Sequence, residues 1–444
     1  MADLDPAHAI PPSLQEIASC VNGYDPKSLP VAQAREFIAR LVPKVRAVEM
    51  LALRSALGRV LARDIVATFN VPAHDNSAMD GYAFRGSDVF ADADTVLTVA
   101  GSGFAGQADT VSAAPGECVR IMTGAVMPAA LDTVVPQEFC LVDGDKVTIP
   151  RGIARTGDNR RLKGEDLAQG EAALVAGRVL RPADLGMLAS LGQAEVPVFR
   201  RLRVAFFSTG DELRSIGEDL PAGCVYDSNR YTLWGMLARL GVDLIDLGVV
   251  KDDPAALEDT FRAAARDADA VITSGGVSVG EADHTKMVMA KLGDVLFWRI
   301  AMRPGRPMAI GRIAVDKSAG ADNAGHSAIL FGLPGNPVAV MVTFYALVRD
   351  ALLAMSGAAA QPMPLLRAAS VEAMRKKPGR TEYQRGIVTR SADGAGFDVR
   401  ITGSQGSGIL RSMSEANGLV VLHHAQGDVA AGELVDVLPF DGLV

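Results

Sequence analysis

The chain is 444 residues long, 49% apolar and rich in glycine, with 45 of them, which is more than one hydrophobic core accommodates and predicts three or four domains. A formal net charge of −8 argues against a general nucleic-acid binder. The acidic start Met-Ala-Asp-Leu-Asp-Pro lacks a signal-peptide pattern, and the longest apolar run, Val338 to Val348, stops short of the roughly 20 residues of a membrane span, so no membrane partner is expected.

In chain order, residues 1–27 read as a loose tail. From Val31 to Leu61 apolar residues recur at helical spacing, with a break at Pro43. From about Asn70 to Pro150 short β-type runs (Thr95 to Val99, Cys118 to Met122, Thr133 to Val135, Lys146 to Ile149) predict a β-rich domain. Residues 178–196 return to helix, with Pro182 at a first helical position. From Leu202 to Gly357 strands alternate with helices, which predicts a mostly parallel sheet covered on both faces. Asn336 is the expected cap of a long helix that starts at Pro337. Asp316 to Ser327 reads as a mobile surface loop, Gly357 to Pro364 as a linker, and the rest as a small β-barrel or sandwich. Four scattered cysteines, Cys20, Cys118, Cys140 and Cys224, are expected to be reduced core residues of a cytoplasmic protein. None of the six histidines has metal-ligand spacing, so zinc is set aside.

The chemistry concentrates at residues 270–285. A buried strand opens into a loop of Ser274, Gly275, Gly276, Ser278 and Gly280, followed by Glu281 and Asp283. Glycines allow successive N–H groups to face one oxyanion, and carboxylates beside such a seat imply a bridging divalent cation, Mg²⁺. Ligands of an open parallel sheet bind beyond the carboxyl ends of its strands. That rule gathers Thr209 to Glu212, Lys251-Asp252-Asp253, the Ser/Gly loop and Pro334-Gly335-Asn336-Pro337 on one rim. The last of these begins a helix, whose free N–H groups favour an anion. Arg299, Arg303 and Arg306, stiffened by Pro304, Gly305 and Pro307, fit an oxyanion clamp. Three further clusters, Asp75 to Tyr82, Ile121 to Gly124 and Arg160 to Asp166, each read as a turn when taken alone. Gly101-Ser-Gly-Phe-Ala-Gly106 imitates a dinucleotide fingerprint, but Pro115 and Gly116 leave no helix to follow it.

Together these motifs resemble the MoeA family of molybdopterin molybdotransferases, which includes the gephyrin E domain. The resemblance runs from about Val31 to the C-terminus and rests on five blocks: Asp-Asn-Ser-Ala-Met-Asp-Gly-Tyr-Ala, Ile-Met-Thr-Gly-Ala, Ser-Thr-Gly-Asp-Glu-Leu, Ser-Gly-Gly-Val-Ser-Val-Gly-Glu-Ala-Asp and Leu-Pro-Gly-Asn-Pro-Val. It implies a central α/β/α parallel-sheet domain of the molybdopterin-binding type over 199–357, with a helical linker domain over 28–69 and 159–198. A β-rich domain over 70–158 and a C-terminal β-barrel over 362–444 complete the implied layout. The implied activity takes adenylylated molybdopterin, cleaves its pyrophosphate link with Mg²⁺, places molybdate on the dithiolene and releases AMP. Implied partners are a second copy in a homodimer, a molybdopterin adenylyltransferase, and downstream molybdoenzymes or their chaperones.

Carried over by position, Asp80, Thr123 and Asp166 reach toward the substrate, and Glu212, Asp252 and Asp283 line the metal and pyrophosphate site. The choice of Asp252 over Asp253 rests on spacing. Arg303 and Arg306 face molybdate, and Arg385 and Ser407 complete the anion pocket. Family members often carry lysine at 299, 303 and 306; arginine keeps the charge but does not shuttle protons. Two rival readings stay open at this stage: an adenylyltransferase or pyrophosphatase on the same α/β fold, and a non-catalytic scaffold.

Overall fold

The computed structural model describes residues 12–90, 92–107, 111–277, 284–314, 327–361 and 363–440. Its contacts form two compact units, one drawn from Met1–Glu49, Gly58–Val60 and Phe199–Val444, the other from Met50–Leu57 and Leu61–Val198.

The first unit is built on a six-stranded sheet in the order Asp243–Val250, Arg203–Thr209, Ala270–Ser274, Ser327–Leu333, Pro307–Ala314, Gly293–Arg299. The first four strands are parallel; Pro307–Ala314 runs antiparallel to them, and Gly293–Arg299 pairs antiparallel with it at the edge. Continuous apolar strands are buried on both faces, and side chains alternate between two cores. Val204, Phe206, Ile272 and Phe331 enter one core with Phe37, Leu233 and Val340. Ala205, Phe207, Val271 and Leu330 enter the other, against Leu257 and Phe261 of the helix Pro254–Asp267.

Pro337 opens an apolar helix that runs to Met355, through a π-helical stretch at Phe344–Val348. The long helix expected from Pro337 is thus present, and it continues past the end of the apolar run at Val348. The segment is long and apolar enough to cross a bilayer, yet 72% of its apolar window is buried within the protein, where it serves the core.

Two N-terminal expectations need correction. The supposed tail contains a helix, Leu14–Ser19, capped reciprocally by Ser13 and Glu16. Its Leu14 and Ile17 are at most 3% exposed, and Trp298 Nε1 donates to Tyr24 Oη at 2.7 Å. The break expected at Pro43 is present, since the helix Val31–Leu41 ends just before it, but the helical spacing expected onward to Leu61 does not continue as α-helix. Val42, before Pro43, is extended as residues preceding proline are, and Val48–Ala52 is a strand.

In the second unit a six-stranded sheet has the order Thr133–Pro136, Gly81–Phe84, Glu117–Ile121, Thr95–Gly103, Lys146–Ile149, Leu141–Asp143. Gly101 and Gly103 lie on one of its strands, and the next element among the described residues is the strand Glu117–Ile121, not a helix. The helix expected over 178–196 is confined to Pro182–Ser190, and Glu195–Phe199 is a strand.

The C-terminal strands close into a five-stranded barrel within the first unit: Thr381–Arg390, Phe397–Ile401, Leu366–Ser370, Leu434–Pro439 and Gly418–Leu422, which returns to the first. The short strand Met302–Arg303 extends the barrel, pairing Arg303 with Glu382. All four cysteines are free; Cys118 is buried but Cys20 is exposed, so the expectation of four core thiols fails at Cys20. Asp316 to His326, expected as a mobile loop, lies outside the described residues, and Ser327 begins a strand.

Candidate active site

Strand ends of the parallel sheet open into a cavity of about 830 Å³ in the first unit. Thr209, Gly210 and Glu212 lie at the end of Arg203–Thr209, Asp252 after Asp243–Val250, Ser274 to Gly276 at the end of Ala270–Ser274, and Pro334 to Asn336 after Ser327–Leu333. Arg303 to Pro307, Gln405 to Ser407 of the C-terminal region, Leu213, Asn229 and Ala339 complete the lining. Of the sequence-derived candidates, Glu212, Asp252, Ser274, Gly275, Gly276, Arg303, Arg306, Pro334, Gly335, Asn336 and Ser407 therefore share one space.

Asp252 and its neighbour divide their work. Asp253 Oδ1 accepts from Ala255 N at 3.1 Å and Ala256 N at 2.9 Å, capping the helix Pro254–Asp267. Asp252 instead faces the cavity, and its N–H donates to Asp211 Oδ1 at 3.3 Å. Asp283, Glu281 and Ser278 lie outside the described residues. Among the described residues no three Asp, Glu, His or Cys side chains gather as a metal site.

The glycine loop is more specialised than a run of N–H donors. Gly275 has φ +97°, and its N–H is spent on Leu333 O at 3.1 Å. A Cβ there would lie 2.4 Å from the Thr209 carbonyl oxygen. Gly276 also has positive φ, +67°, and its N–H meets no acceptor among the described residues.

Three candidates sit elsewhere than expected. Arg299 ends the edge strand; its backbone pairs with Pro26 and Leu29, and it does not line the cavity. Pro337 is the first residue of its helix, behind the lining. Arg385 is 1% exposed and does not line the cavity. Its guanidinium donates to Ser412 Oγ at 3.0 Å and to the carbonyls of Ser404, Gln405 and Gly406 at 3.2, 3.2 and 2.9 Å. The fork geometry of arginine thus builds the loop that carries Ser407, instead of meeting an anion directly. Burial, and then the nearby Arg303, push the Arg385 pKa down to about 10.

Arg303 is 58% exposed, with Nη1 3.9 Å from Glu382 Oε2. Glu382 is itself only 2% exposed and also accepts from Arg380 Nε at 2.7 Å. Sequence reasoning passed over Gln405 and Asn229. Gln405 Oε1 accepts from Arg385 N at 2.8 Å. Asn229 lies in the first turn of the helix Ser228–Arg239, which Asp227 caps.

In the second unit, three sequence-distant clusters converge. Thr123 donates to Asp80 Oδ1 through both N–H and Oγ1, each at 2.7 Å. The backbone bond first, and the hydroxyl second, hold the exposed Asp80 carboxyl below the ordinary range. Asp75 accepts from Lys163 N at 2.7 Å and pairs with Arg160, and Arg160–Arg161 pairs as a strand with Asn76–Ser77. Asp166 is exposed and anchored by its N–H to Val71 O at 3.1 Å.

Comparison with known proteins identifies the family. Residues 29–192 match the MoeA N-terminal region (domain I and II), 205–354 a probable molybdopterin binding domain, and 367–440 the MoeA C-terminal region (domain IV). A molybdopterin molybdenumtransferase of Haemophilus influenzae is 40% identical over 94% of this chain and 100% of its own. One from Nostoc sp. is 36% identical over 94% and 97%. The crystal structure of the molybdopterin biosynthesis MoeA protein from Pyrococcus horikoshii OT3 superposes with a TM-score of 0.76 at 28% identity, covering 93% of this chain and all of that one. Sequence, fold and site geometry therefore agree that the chain belongs to the molybdopterin molybdenumtransferase family, transferases of molybdenum cofactor biosynthesis.

Proposed function

We propose that this transferase acts on adenylylated molybdopterin, cleaving its pyrophosphate link with Mg²⁺, placing molybdate on the dithiolene sulfurs and releasing AMP. The observation that carries this reading is one cavity lined by two carboxylates, Glu212 and Asp252, two guanidinium groups, Arg303 and Arg306, and Asn336, the cap of the helix that starts at Pro337. Carboxylate oxygens are the hard donors Mg²⁺ prefers, so Glu212 and Asp252 fit it, with Asp283 proposed as the third acid. Mg²⁺, when bound, would neutralise pyrophosphate charge.

The chain's own groups supply the rest. The N–H groups of Gly276 and Asn336 would hold phosphate oxygens, as donors at loop nests and helix starts do. Arg303 and Arg306 would bind and polarise molybdate, a tetrahedral dianion. Each charge-assisted bond is worth about 1.5–3 kcal/mol, and neither arginine acts as a proton shuttle. Asp80, Thr123 and Asp166 are proposed to be needed for turnover. By family resemblance we infer a cytoplasmic homodimer, supplied by a molybdopterin adenylyltransferase and serving molybdoenzymes or their chaperones.

The test is to supply the purified protein with adenylylated molybdopterin, molybdate and Mg²⁺ and follow AMP release together with cofactor formation. Glu212→Gln and Asp252→Asn are expected to abolish both. Accumulation of adenylylated product from ATP and molybdopterin, with no molybdate needed, would instead support the adenylyltransferase reading.

A further inference from the structure

We infer that Asn229 is a positioning residue that sets the direction of an anion-binding peptide at the cavity: it holds the Gly335 carbonyl inward so that the Asn336 N–H points at the substrate's phosphate oxygens. The inference rests on the proposed phosphate-bearing substrate and deepens it.

Asn229 is 7% exposed and lines the cavity. Its Nδ2 donates to Gly335 O at 2.7 Å and to Ser274 Oγ at 2.8 Å. A carbonyl only accepts, so the contact with Gly335 O fixes which end of the amide faces the rim. The other end, Oδ1, is buried with no partner among the described residues. An amide that leaves one buried acceptor unmatched is not optimised for packing; its two donors are where it is used.

The consequence follows from peptide geometry. A trans peptide group is planar, and its C=O and N–H point in opposite directions. With Gly335 O drawn toward Asn229, the N–H of Asn336 faces the other way. Asn336 lines the cavity, and its N–H has no acceptor among the described residues. Glycine before the peptide makes rotation of that group inexpensive, so the direction needs an external hold. Turned over, the same peptide would present a carbonyl oxygen and repel a phosphate. Ser274 Oγ also approaches Pro334 O at 3.4 Å, so Asn229 joins the glycine loop and the helix start through one side chain.

The control is Ser208, fully buried, whose Oγ donates at 3.0 Å to Oδ1 of Asp227, the cap of the helix that carries Asn229, and which does not line the cavity. Full-length wild type, Asn229→Ala, Asn229→Asp and Ser208→Ala are titrated with AMP and with inorganic pyrophosphate by calorimetry. Asn229→Ala is expected to weaken both by about tenfold, the worth of one well-placed hydrogen bond. Asn229→Asp, whose carboxylate repels the Gly335 carbonyl, should weaken them further. Ser208→Ala should bind like wild type even with a lowered melting temperature. In wild type, saturating pyrophosphate should slow hydrogen exchange at the Asn336 amide, a readout that needs no variant to fold. Wild-type affinity in Asn229→Asp, or an Asn336 amide that exchanges equally fast with and without bound pyrophosphate, would overturn the inference. Failure of wild type to bind either probe would instead count against the proposed substrate.

Discussion

Replacing Gly275 with alanine is the sharpest test of how the glycine loop is built. Two costs can be separated. At φ +97° an L-residue pays about 1–2 kcal/mol for a left-handed backbone. The new methyl would also lie 2.4 Å from the Thr209 carbonyl oxygen. That oxygen belongs to a neighbouring strand of the central sheet, so it cannot swing aside as a side chain would, and overpacking adds about 1–3 kcal/mol. The total is about 2–5 kcal/mol. Gly217 isolates the first term: its φ is +92° and a Cβ there meets nothing within 4 Å, so Gly217→Ala should cost only about 1–2 kcal/mol. Both tryptophans, the half-exposed Trp234 and the buried Trp298, belong to the unit that contains this loop. Urea unfolding followed by tryptophan fluorescence therefore reports on that unit alone. Equal midpoints for Gly275→Ala and Gly217→Ala would refute the steric argument.

Further expectations follow from the same contacts. Arg385→Met leaves the carbonyls of Ser404, Gln405 and Gly406 without their donor and should destabilise by about 3 kcal/mol or more; Arg385→Lys should not rescue it, since one ammonium cannot span the fork, and a thermal melt decides both. Arg303→Ala should weaken molybdate binding more than AMP binding, and equal losses by calorimetry would contradict its assignment. Asp80→Ala should leave the melting temperature near wild type while turnover collapses, because the exposed carboxylate's partners are the N–H and hydroxyl of the equally exposed Thr123. The Asp75 carboxyl is held below its ordinary 3.8, first by the Lys163 N–H and then by Arg160. A depressed carboxyl contributes stability above its unfolded value and loses it as pH falls through the folded one. The protection of the Asn76–Ser77 amides, taken relative to the intrinsic exchange rate at each pH, should therefore fall as pH drops below about 4, and Asp75→Asn should remove that pH dependence.

The central sheet was legible because its strands carry unbroken apolar runs and its helices carry their own punctuation, such as Asp253 before Pro254 and Asn336 before Pro337. The rim followed from one topological rule, which brought Glu212, Asp252, Ser274 and Asn336 to a common edge. What escaped was whatever depends on partners distant in sequence. Arg385 reads as one more basic residue until the carbonyls it binds, 19 to 21 residues onward, are known. Asn229 was passed over because its acceptors lie 45 and 106 residues away. The helix Leu14–Ser19 was missed because six residues are too few for periodicity to register. Pro43 marked the end of the Val31 helix, but spacing could not show that Val48–Ala52 beyond it is a strand.

The two-residue strand Met302–Arg303 runs alongside Thr381 and Glu382 of the barrel. Arg303 is therefore steered from outside its own segment: a rail belonging to the last quarter of the chain dictates where that guanidinium stands. A protein shortened before residue 366 would forfeit more than Ser407. Its arginine loop would lose its guide, and the buried Glu382 that tethers Arg303 would go with it. Loss of oxyanion affinity in such a truncation would be misread if charged to the missing residues alone, because a remaining one would have been set adrift.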